Sequence, residues 1–157
     1  CEKIIDKAKK MAEENEEFLA LYELLEWERN VLAYYSGNPI VRKKYNAVPA
    51  AQLSALEKQQ NVTAFQQLNN DLTKISDQSM LVRDKEKMES LNKLISHPLL
   101  SHPDRALTFH SKITYYNIHH LYHFLAGNMN QGFEQCKNWT ALFELKENLI
   151  YSPYARK

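Results

Sequence analysis

The chain has few of the residues with which a β-sheet protein turns its backbone. Only three glycines and five prolines occur in 157 residues, and tight turns between strands draw mainly on these two residue types. No segment shows the alternation of apolar and polar residues that a half-buried strand requires. No apolar run approaches the roughly 18 residues needed to span a membrane. The composition therefore excludes a turn-rich β protein and favours long helices with short connections.

An excess of charge of one sign is also absent. Twenty Lys and Arg stand against nineteen Asp and Glu, a net charge of +1, so the chain offers no general field for nucleic acid or an anionic membrane. We expect neither as a partner. Residues 1–36 carry five basic and nine acidic side chains, and the remainder is mildly basic. This asymmetry fits either solvated helix faces or end-to-end contacts.

Cysteine is too scarce for a disulfide framework. Cys1 and Cys136 are the only two, which favours a reducing compartment and a cytoplasmic protein. Cys1 fits either a lipidated N-terminus or a boundary inside a longer protein. We expect the latter, since the helical pattern starts at once and no signal peptide is visible. In a cytosolic protein the glycosylation triplets that begin at Asn61 and Asn138 would have no role.

Apolar residues that recur every three or four positions predict about six helices in a single domain, residues 1–157. The first covers EKIIDKAKKMAEE and is broken at Asn15. The second is stopped by Gly37-Asn38-Pro39, since glycine supplies a left-handed cap and proline bars continuation. We expect residues 40–48 to be a weakly helical connection and Pro49 to open the third helix.

The later helices have their own boundary signals. The fourth ends at His97-Pro98. Ser101 or His102 is expected to cap the fifth, with Pro103 in its first turn. That helix runs to Ala126, and the sixth follows a turn at Gly127-Asn128. Short loops between these segments imply antiparallel neighbours.

The second helix has two apolar sides. One contains Phe18, Leu21, Tyr22, Leu25 and Leu32, and the other contains Leu24, Trp27, Val31 and Tyr34. An apolar surface on both sides predicts that this helix is sandwiched between neighbours.

The last hairpin has a recognisable spacing of rings and small residues. Tyr115, Tyr116 and Tyr122 precede Gly127-Asn128, and Gly132 follows where a small residue lets two helices touch. This resembles the tetratricopeptide repeat. The segment KIIDKAKKMAEENEEFLALYELLEWERN is similar to the second helix of one such repeat and the first helix of the next. The resemblance covers about half of the chain, at its two ends.

The resemblance implies a fold and a function. The fold would be antiparallel helical hairpins stacked as a right-handed solenoid, and the alternative is an irregular helical bundle. The function would be a scaffold or adaptor without chemistry of its own, whose groove binds a protein or an acidic peptide. Open solenoid ends would also allow self-association. The rings suspected in that contact are Trp27, Tyr34, Tyr35, Trp139 and Tyr151.

The segment YYNIHHLYHFLAGN supplies the candidate binding residues. On a helical wheel, five side chains fall on or beside one polar stripe, namely Arg105, Lys112, Tyr116, His119 and His123. Fixed positive charge, a ring and two histidines could hold an acidic segment or a terminal carboxylate. A solvated face is the simpler interpretation of the same stripe, and His120 is interpreted as a packing residue.

Metal binding and catalysis find less support in this segment. His119 and His123, one turn apart, could grip a metal from one side, but the stripe contains no third ligand. Ser111 and Cys136 lack a base and an orienting acid that would make either a nucleophile. We therefore expect no enzyme, no cofactor and no metal. The alternative function is a ligand- or metal-sensing regulatory domain that uses the His119 and His123 helix.

Overall fold

A computed structural model describes residues 2–35, 37–76 and 84–145. Within these ranges the regular structure is entirely helical and contains no strand, which confirms the all-α class. The six α-helices are α1 (Glu2–Glu14), α2 (Phe18–Tyr34), α3 (Pro39–Ser76), α4 (Lys85–Ile95), α5 (Phe109–Leu125) and α6 (Met129–Leu145). Two short 3₁₀ helices lie at Pro98–Leu100 and Pro103–Arg105. None of the described helices has the length and apolar content that crossing a membrane requires.

The chain divides into two compact units. Described residues up to Gln60 belong to the first unit, and those from Asn61 onward belong to the second. The first contains α1, α2 and the beginning of α3, and the second contains the rest of α3 with α4, α5 and α6. The expectation of one domain over residues 1–157 stays a prediction.

The first unit is built around one apolar cluster. Its buried members are Ala12 of α1, three leucines of α2, and Val48 and Ala55 of α3; the leucines are Leu21, Leu25 and Leu32. Burial of such side chains, at about 25 cal/mol per Å² of apolar surface, is what holds the three helices together. Phe18 is buried in the same unit, with the Lys58 ammonium 5.7 Å from its ring centroid.

The second unit has its own cluster. Phe65 and Leu72 of α3, Leu91 of α4 and Ile118 of α5 are fully shielded from solvent. In the α5–α6 hairpin, a Cβ placed on Gly132 would lie 3.5 Å from the His120 carbonyl oxygen, an ordinary contact distance. The two helices therefore do touch at Gly132, as the spacing predicts.

Both hairpins end their first helix with the same turn. After α5, the Gly127 N–H donates to the Phe124 carbonyl and the Asn128 N–H donates to the His123 carbonyl. After α1, Glu16 and Glu17 donate to Glu13 and Ala12 in the same pattern. These are Schellman turns, which require a left-handed residue. That residue is Gly127 (φ 80°) in one hairpin and Glu16 (φ 57°) in the other.

The start of α3 differs from the prediction. The helix begins at Pro39 and passes through Pro49, so residues 40–48 are helical and Pro49 lies inside the helix. Asn38 provides the start, because its Oδ1 accepts the Ile40 N–H at 2.9 Å and Pro39 fills the first position. The preceding helix α2 ends at Tyr34 with Tyr35 as its cap, rather than at a left-handed Gly37. Val41, Tyr45 and Val48 then pack in the first unit and offset the hydrogen bond that Pro49 cannot make.

The start of α5 also differs from the prediction of a cap at Ser101 or His102. Pro103 opens a 3₁₀ turn that ends at Arg105, and α5 begins only at Phe109. Thr108 is its cap, since its hydroxyl oxygen accepts the Ser111 N–H at 3.0 Å. His97 and His102 do lie at helix ends, as caps of the two 3₁₀ turns: each Nδ1 accepts an N–H, from Leu99 at 3.2 Å and from Asp104 at 3.3 Å.

A buried asparagine fixes the break before α5. Asn61 of α3 donates from Nδ2 to the Arg105 carbonyl at 2.9 Å, and its Oδ1 accepts the Leu107 N–H at 3.0 Å. The two bonds satisfy backbone groups at the end of the 3₁₀ turn and in the segment that leads to α5. They also occupy the Asn61 amide inside the folded unit, so the triplet Asn61-Val62-Thr63 is not a surface site for a glycan.

Candidate functional site

The five predicted binding residues do not form one stripe. Arg105 lies in the 3₁₀ turn, outside α5, so it does not continue the row of Lys112, His119 and His123. Its side chain is exposed, as is that of Lys112. Tyr116 is half-buried and packs against the apolar cluster of the second unit. The row therefore keeps one exposed positive side chain on α5, Lys112.

The two histidines of this row face inward. His119 donates from Nε2 to the Leu100 carbonyl at 3.0 Å, and its ring lies 4.4 Å from that of Tyr115. Burial lowers the pKa of His119, its bond to the Leu100 carbonyl opposes this, and the neighbouring His123 adds to it. Burial also lowers the pKa of His123. Positive charge on this pair therefore appears at lower pH than in a solvated stripe.

His120 has the packing role that the sequence predicts. His120 donates from Nδ1 to the Gly132 carbonyl at 2.9 Å, so it joins α5 to α6. Across the part of the chain that the structure describes, no three His, Cys, Asp or Glu side chains are grouped closely enough to hold a metal ion. The buried Nδ1 of His123 has no hydrogen-bond partner. That atom is the feature of the histidine helix that its packing does not explain.

A larger unpartnered surface lies on α2. We define the outer face of α2 by the exposed side chains opposite its core leucines: Leu19, Ala20, Glu23, Trp27, Asn30, Val31 and Tyr34. Leu19 is 58% exposed, Trp27 70%, Val31 38% and Tyr34 87%. Trp27, Val31 and Tyr34 are spaced by four and three residues, which places them on one side of the helix. The sandwich predicted for α2 is thus complete on one side and open on the other.

Polar bonds on both flanks hold α2 in this rotation. On one flank Glu28 accepts from Lys9 of α1 at 2.7 Å. On the other flank Glu26 accepts from Gln52 of α3 at 2.9 Å. Burial would lower the pKa of Lys9, but its hydrogen bonds to Glu28 and Asp6 outweigh this and raise it. Because α1 and α3 each bind one flank, the core leucines face inward and Trp27 faces solvent.

The outer face continues into a cavity at the α2–α3 turn. The cavity measures about 580 Å³. Its apolar lining consists of Ile5, Val31, Leu32, Tyr35, Ile40 and Val41. Tyr35 is 66% exposed and Ile40 is 72% exposed. A volume within the usual 300–1,000 Å³ of ligand pockets can accept one or two large apolar side chains.

A second groove lies between the three helices of the first unit. It measures about 570 Å³, and small side chains of α3 form much of one wall, namely Ala47, Ala51, Ser54 and Ala55. Leu21 and Leu25 of α2 form part of its apolar surface, and both charge signs occur along it. The groove adds recessed surface to the unit that carries the outer face of α2.

Charge is divided between the two ends of α2. At its start, the acidic end is formed by Glu13, Glu14, Glu16 and Glu17 of the α1–α2 turn. Lys10, which pairs with Glu14 at 3.7 Å, and Lys58, beside the Phe18 ring, reduce its net negative charge. At its finish, the basic end is formed by Lys3, Lys7, Arg42 and Lys43, which begin α1 and α3. Ile5, Tyr35 and Ile40 line one cavity, which shows that these starts meet the finish of α2. Asp6 also lies there and pairs with Lys9 at 3.2 Å.

Sequence reasoning found part of this surface. Trp27, Tyr34 and Tyr35 were expected in self-association, and all three are exposed. Leu19 and Ile40 were missed, although their large apolar side chains are also exposed. Periodicity identifies an apolar face but does not report whether another helix covers it. Of the other suspected rings, Trp139 is half-buried, and Tyr151 lies outside the described residues.

Comparison with known proteins yields no relative. No protein-family model matches the chain, and neither the curated proteins nor the solved structures provide a match.

Proposed function

We propose that this chain is a non-enzymatic scaffold or adaptor that binds a protein or peptide through the outer face of α2. The observation that carries the proposal is the exposure of Trp27 and Tyr34, on a helix whose opposite side is a packed core. Tryptophan and tyrosine are the residue types that most often dominate the free energy of protein interfaces. A contiguous apolar surface of this kind is typical of an interaction site.

The first unit also provides the rigidity that a binding surface needs. The hydrogen bonds that Glu28 and Glu26 accept fix the rotation of α2, so binding requires no rotation of the helix. The cavity beside Tyr35 and Ile40 offers a recess for an anchoring side chain. An acidic segment of a partner would be attracted to the basic end of α2, and a basic segment to its acidic end.

The proposal keeps a tetratricopeptide-like arrangement for the two hairpins. The α1–α2 and α5–α6 pairs each end their first helix in a Schellman turn, and Gly132 permits the close approach that the repeat uses. At 38 residues, α3 is longer than the 34 residues of one whole repeat. The likeness is therefore proposed for the hairpins alone, and α3 connects them.

Binding is tested by capture with matched variants. Immobilised parent protein is incubated with lysate, and retained proteins are quantified by mass spectrometry. The variant Trp27→Ser, Tyr34→Ser removes two exposed apolar side chains from the outer face. The control Leu53→Ser, Phe133→Ser removes two others, which are 68% and 62% exposed. We expect a protein retained by parent and control and lost by the face variant. Equal retention by all three would overturn the proposal.

A sensor function for α5 is the second candidate, supported by the buried and unpartnered Nδ1 of His123. His119 lies 6.4 Å from His123 between ring centroids. A ligand that donates a hydrogen bond to this nitrogen, or a metal ion that accepts its lone pair, would stabilise the second unit by mass action. Thermal denaturation with and without Zn²⁺, in parent and in His123→Phe, tests it. A midpoint shift in the parent alone would favour the sensor, and no shift in either would remove its metal form.

A further inference from the structure

We infer that the outer face of α2 binds the same face of a second copy of this chain, with the two α2 helices antiparallel. This inference rests on the proposed function, since it names the occupant of the surface proposed there. Two features of the first unit support it: the symmetry of the exposed rings, and the charges that an antiparallel pair brings together. The small area of the face sets the expected strength.

The exposed rings are placed symmetrically for a twofold contact. The midpoint between Trp27 and Tyr34 falls between Asn30 and Val31. In an antiparallel pair centred there, Trp27 of each copy lies opposite Tyr34 of the other. A twofold interface requires such self-complementarity, because the same patch serves both copies. Rings that meet in this way prefer tilted or offset contacts, which a helix pair can provide.

Charge favours the antiparallel direction. A parallel pair would set the acidic end, with Glu13 and Glu17, against the acidic end of the other copy. In the antiparallel pair the acidic end of each copy, about 20 Å from the centre, extends past the finish of α2 of the other copy, about 5 Å from the centre. Glu23, the charged residue of the outer face, is instead carried towards Arg42 and Lys43 at the basic end of the other copy. Charged groups across an interface select orientation more than they add affinity.

The size of the face sets the expected strength. In this register the two α2 helices overlap over residues 27–34, about 12 Å of each helix. The area that they bury is therefore well below the roughly 800 Å² per partner of a standard stable interface. The dimer is therefore expected to dissociate in the micromolar range, on the order of 1–100 μM. Salt should weaken it, because exposed charges are screened beyond about 8–10 Å at physiological ionic strength.

Sedimentation equilibrium of the full chain, across the micromolar range, tests the association. We expect a reversible monomer–dimer equilibrium in the parent and in the Leu53→Ser, Phe133→Ser control. The Trp27→Ser, Tyr34→Ser variant should weaken association at least tenfold, with an unchanged far-UV circular dichroism spectrum. A parent that stays monomeric, or a face variant that dimerises like the control, would overturn the inference.

Charge reversal tests the electrostatic part. Arg42→Glu, Lys43→Glu places two acidic side chains towards Glu23 of the other copy and should weaken the dimer. Glu23→Lys places a basic side chain towards Arg42 and Lys43 and should also weaken it. Combining the three changes restores opposite charges, so the antiparallel pair should regain most of its affinity. A combined variant weaker than either of its parts would refute the charge argument.

Cross-linking separates the two directions. In a background of Cys1→Ser, Cys136→Ser, a cysteine is placed by Asn30→Cys or by Glu23→Cys. Residue 23 lies about 11 Å from the centre along the helix, so the two copies are about 22 Å apart if antiparallel. A disulfide requires Cα atoms within about 7 Å. We therefore expect Asn30→Cys dimers to oxidise and Glu23→Cys dimers not to. Efficient oxidation of both would indicate a parallel pair and overturn the inference.

The outcomes distinguish this inference from the proposed function. A monomeric parent that still captures a protein through Trp27 and Tyr34 would leave the scaffold standing with a different occupant. A dimer that depends on both rings, with no captured protein, would identify the second copy as the occupant. Association and capture that are both indifferent to the two rings would overturn both.

Discussion

Asn61 provides a sharp test of how the second unit is held together. Its side chain is 9% exposed and makes two hydrogen bonds, to the Arg105 carbonyl and from the Leu107 N–H. Replacement by alanine removes both partners. Each bond contributes about 0.5–1.5 kcal/mol net, so Asn61→Ala should lower the free energy of unfolding by about 2 kcal/mol. For a chain of this size that is about 4–8 °C in Tm.

The assay is urea and thermal denaturation followed by circular dichroism at 222 nm. Asn138→Ala is the matched control, because Asn138 is an exposed asparagine on α6, and it should change stability by less than about 0.5 kcal/mol. Asn61→Asp keeps the acceptor for Leu107 but turns an oxygen towards the Arg105 carbonyl, so it should also destabilise. An Asn61→Ala protein as stable as the Asn138→Ala control would refute a stabilising role for the two Asn61 hydrogen bonds.

Three further predictions concern the helix ends and the histidines. Thr108→Ala removes the α5 cap and should cost about 1 kcal/mol in urea unfolding, whereas Thr108→Ser should cost less, because serine is an equally good cap. Glu16 and Gly127 both have positive φ. Glu16→Gly should therefore stabilise the protein by up to about 1 kcal/mol, and Gly127→Ala should destabilise it by about the same amount. Shifts of Tm in the same direction for both variants would contradict this. His119 and His123 have pKa values lowered by burial, so the unfolded chain binds protons first as pH falls below about 6.5. Stability should thus be level above that pH and decrease below it, and a His119→Gln, His123→Gln variant should show a flatter urea midpoint between about pH 7 and 5.

Local patterns predicted most helices but not every helix start. The all-α class, the end of α2 before Gly37 and the hairpin turn at Gly127-Asn128 follow from periodicity and turn chemistry, and the structure confirms them. The left-handed cap predicted at Gly37 is not confirmed, since Tyr35 caps α2. Pro39 and Pro103 show where such reasoning fails. A proline is allowed both after a helix and in its first turn. Tertiary contacts decide which role the proline takes. For Pro39 the contact is Tyr45 of α3 packing on the cluster of the first unit, and for Pro103 it is the hydrogen bond from the Leu107 N–H to Asn61.

Only part of the candidate site could be predicted, because the sequence shows which residues are aromatic but does not show which of them are exposed. Trp27 and Tyr34 are evident from the sequence. The periodicity of an apolar helix face is the same, however, whether another helix covers that face or solvent does. The predicted stripe on α5 does not form, for a related reason. A helical wheel places Arg105 and His119 on one face only if both lie in the same helix, and the non-helical residues 106–108 separate them.

The two Schellman turns have a consequence for the order in which the chain folds. Each closes a hairpin of neighbouring segments, residues 2–34 and 109–145, and such local contacts form with little loss of chain entropy. α3 has its apolar residues in a narrow seam, and it supplies Val48 to one cluster and Leu72 to the other. Both hairpins can therefore nucleate early, at opposite ends of the described chain, and α3 is completed on them. Changes at Gly127 should then slow folding, while Leu72→Ala should chiefly speed unfolding.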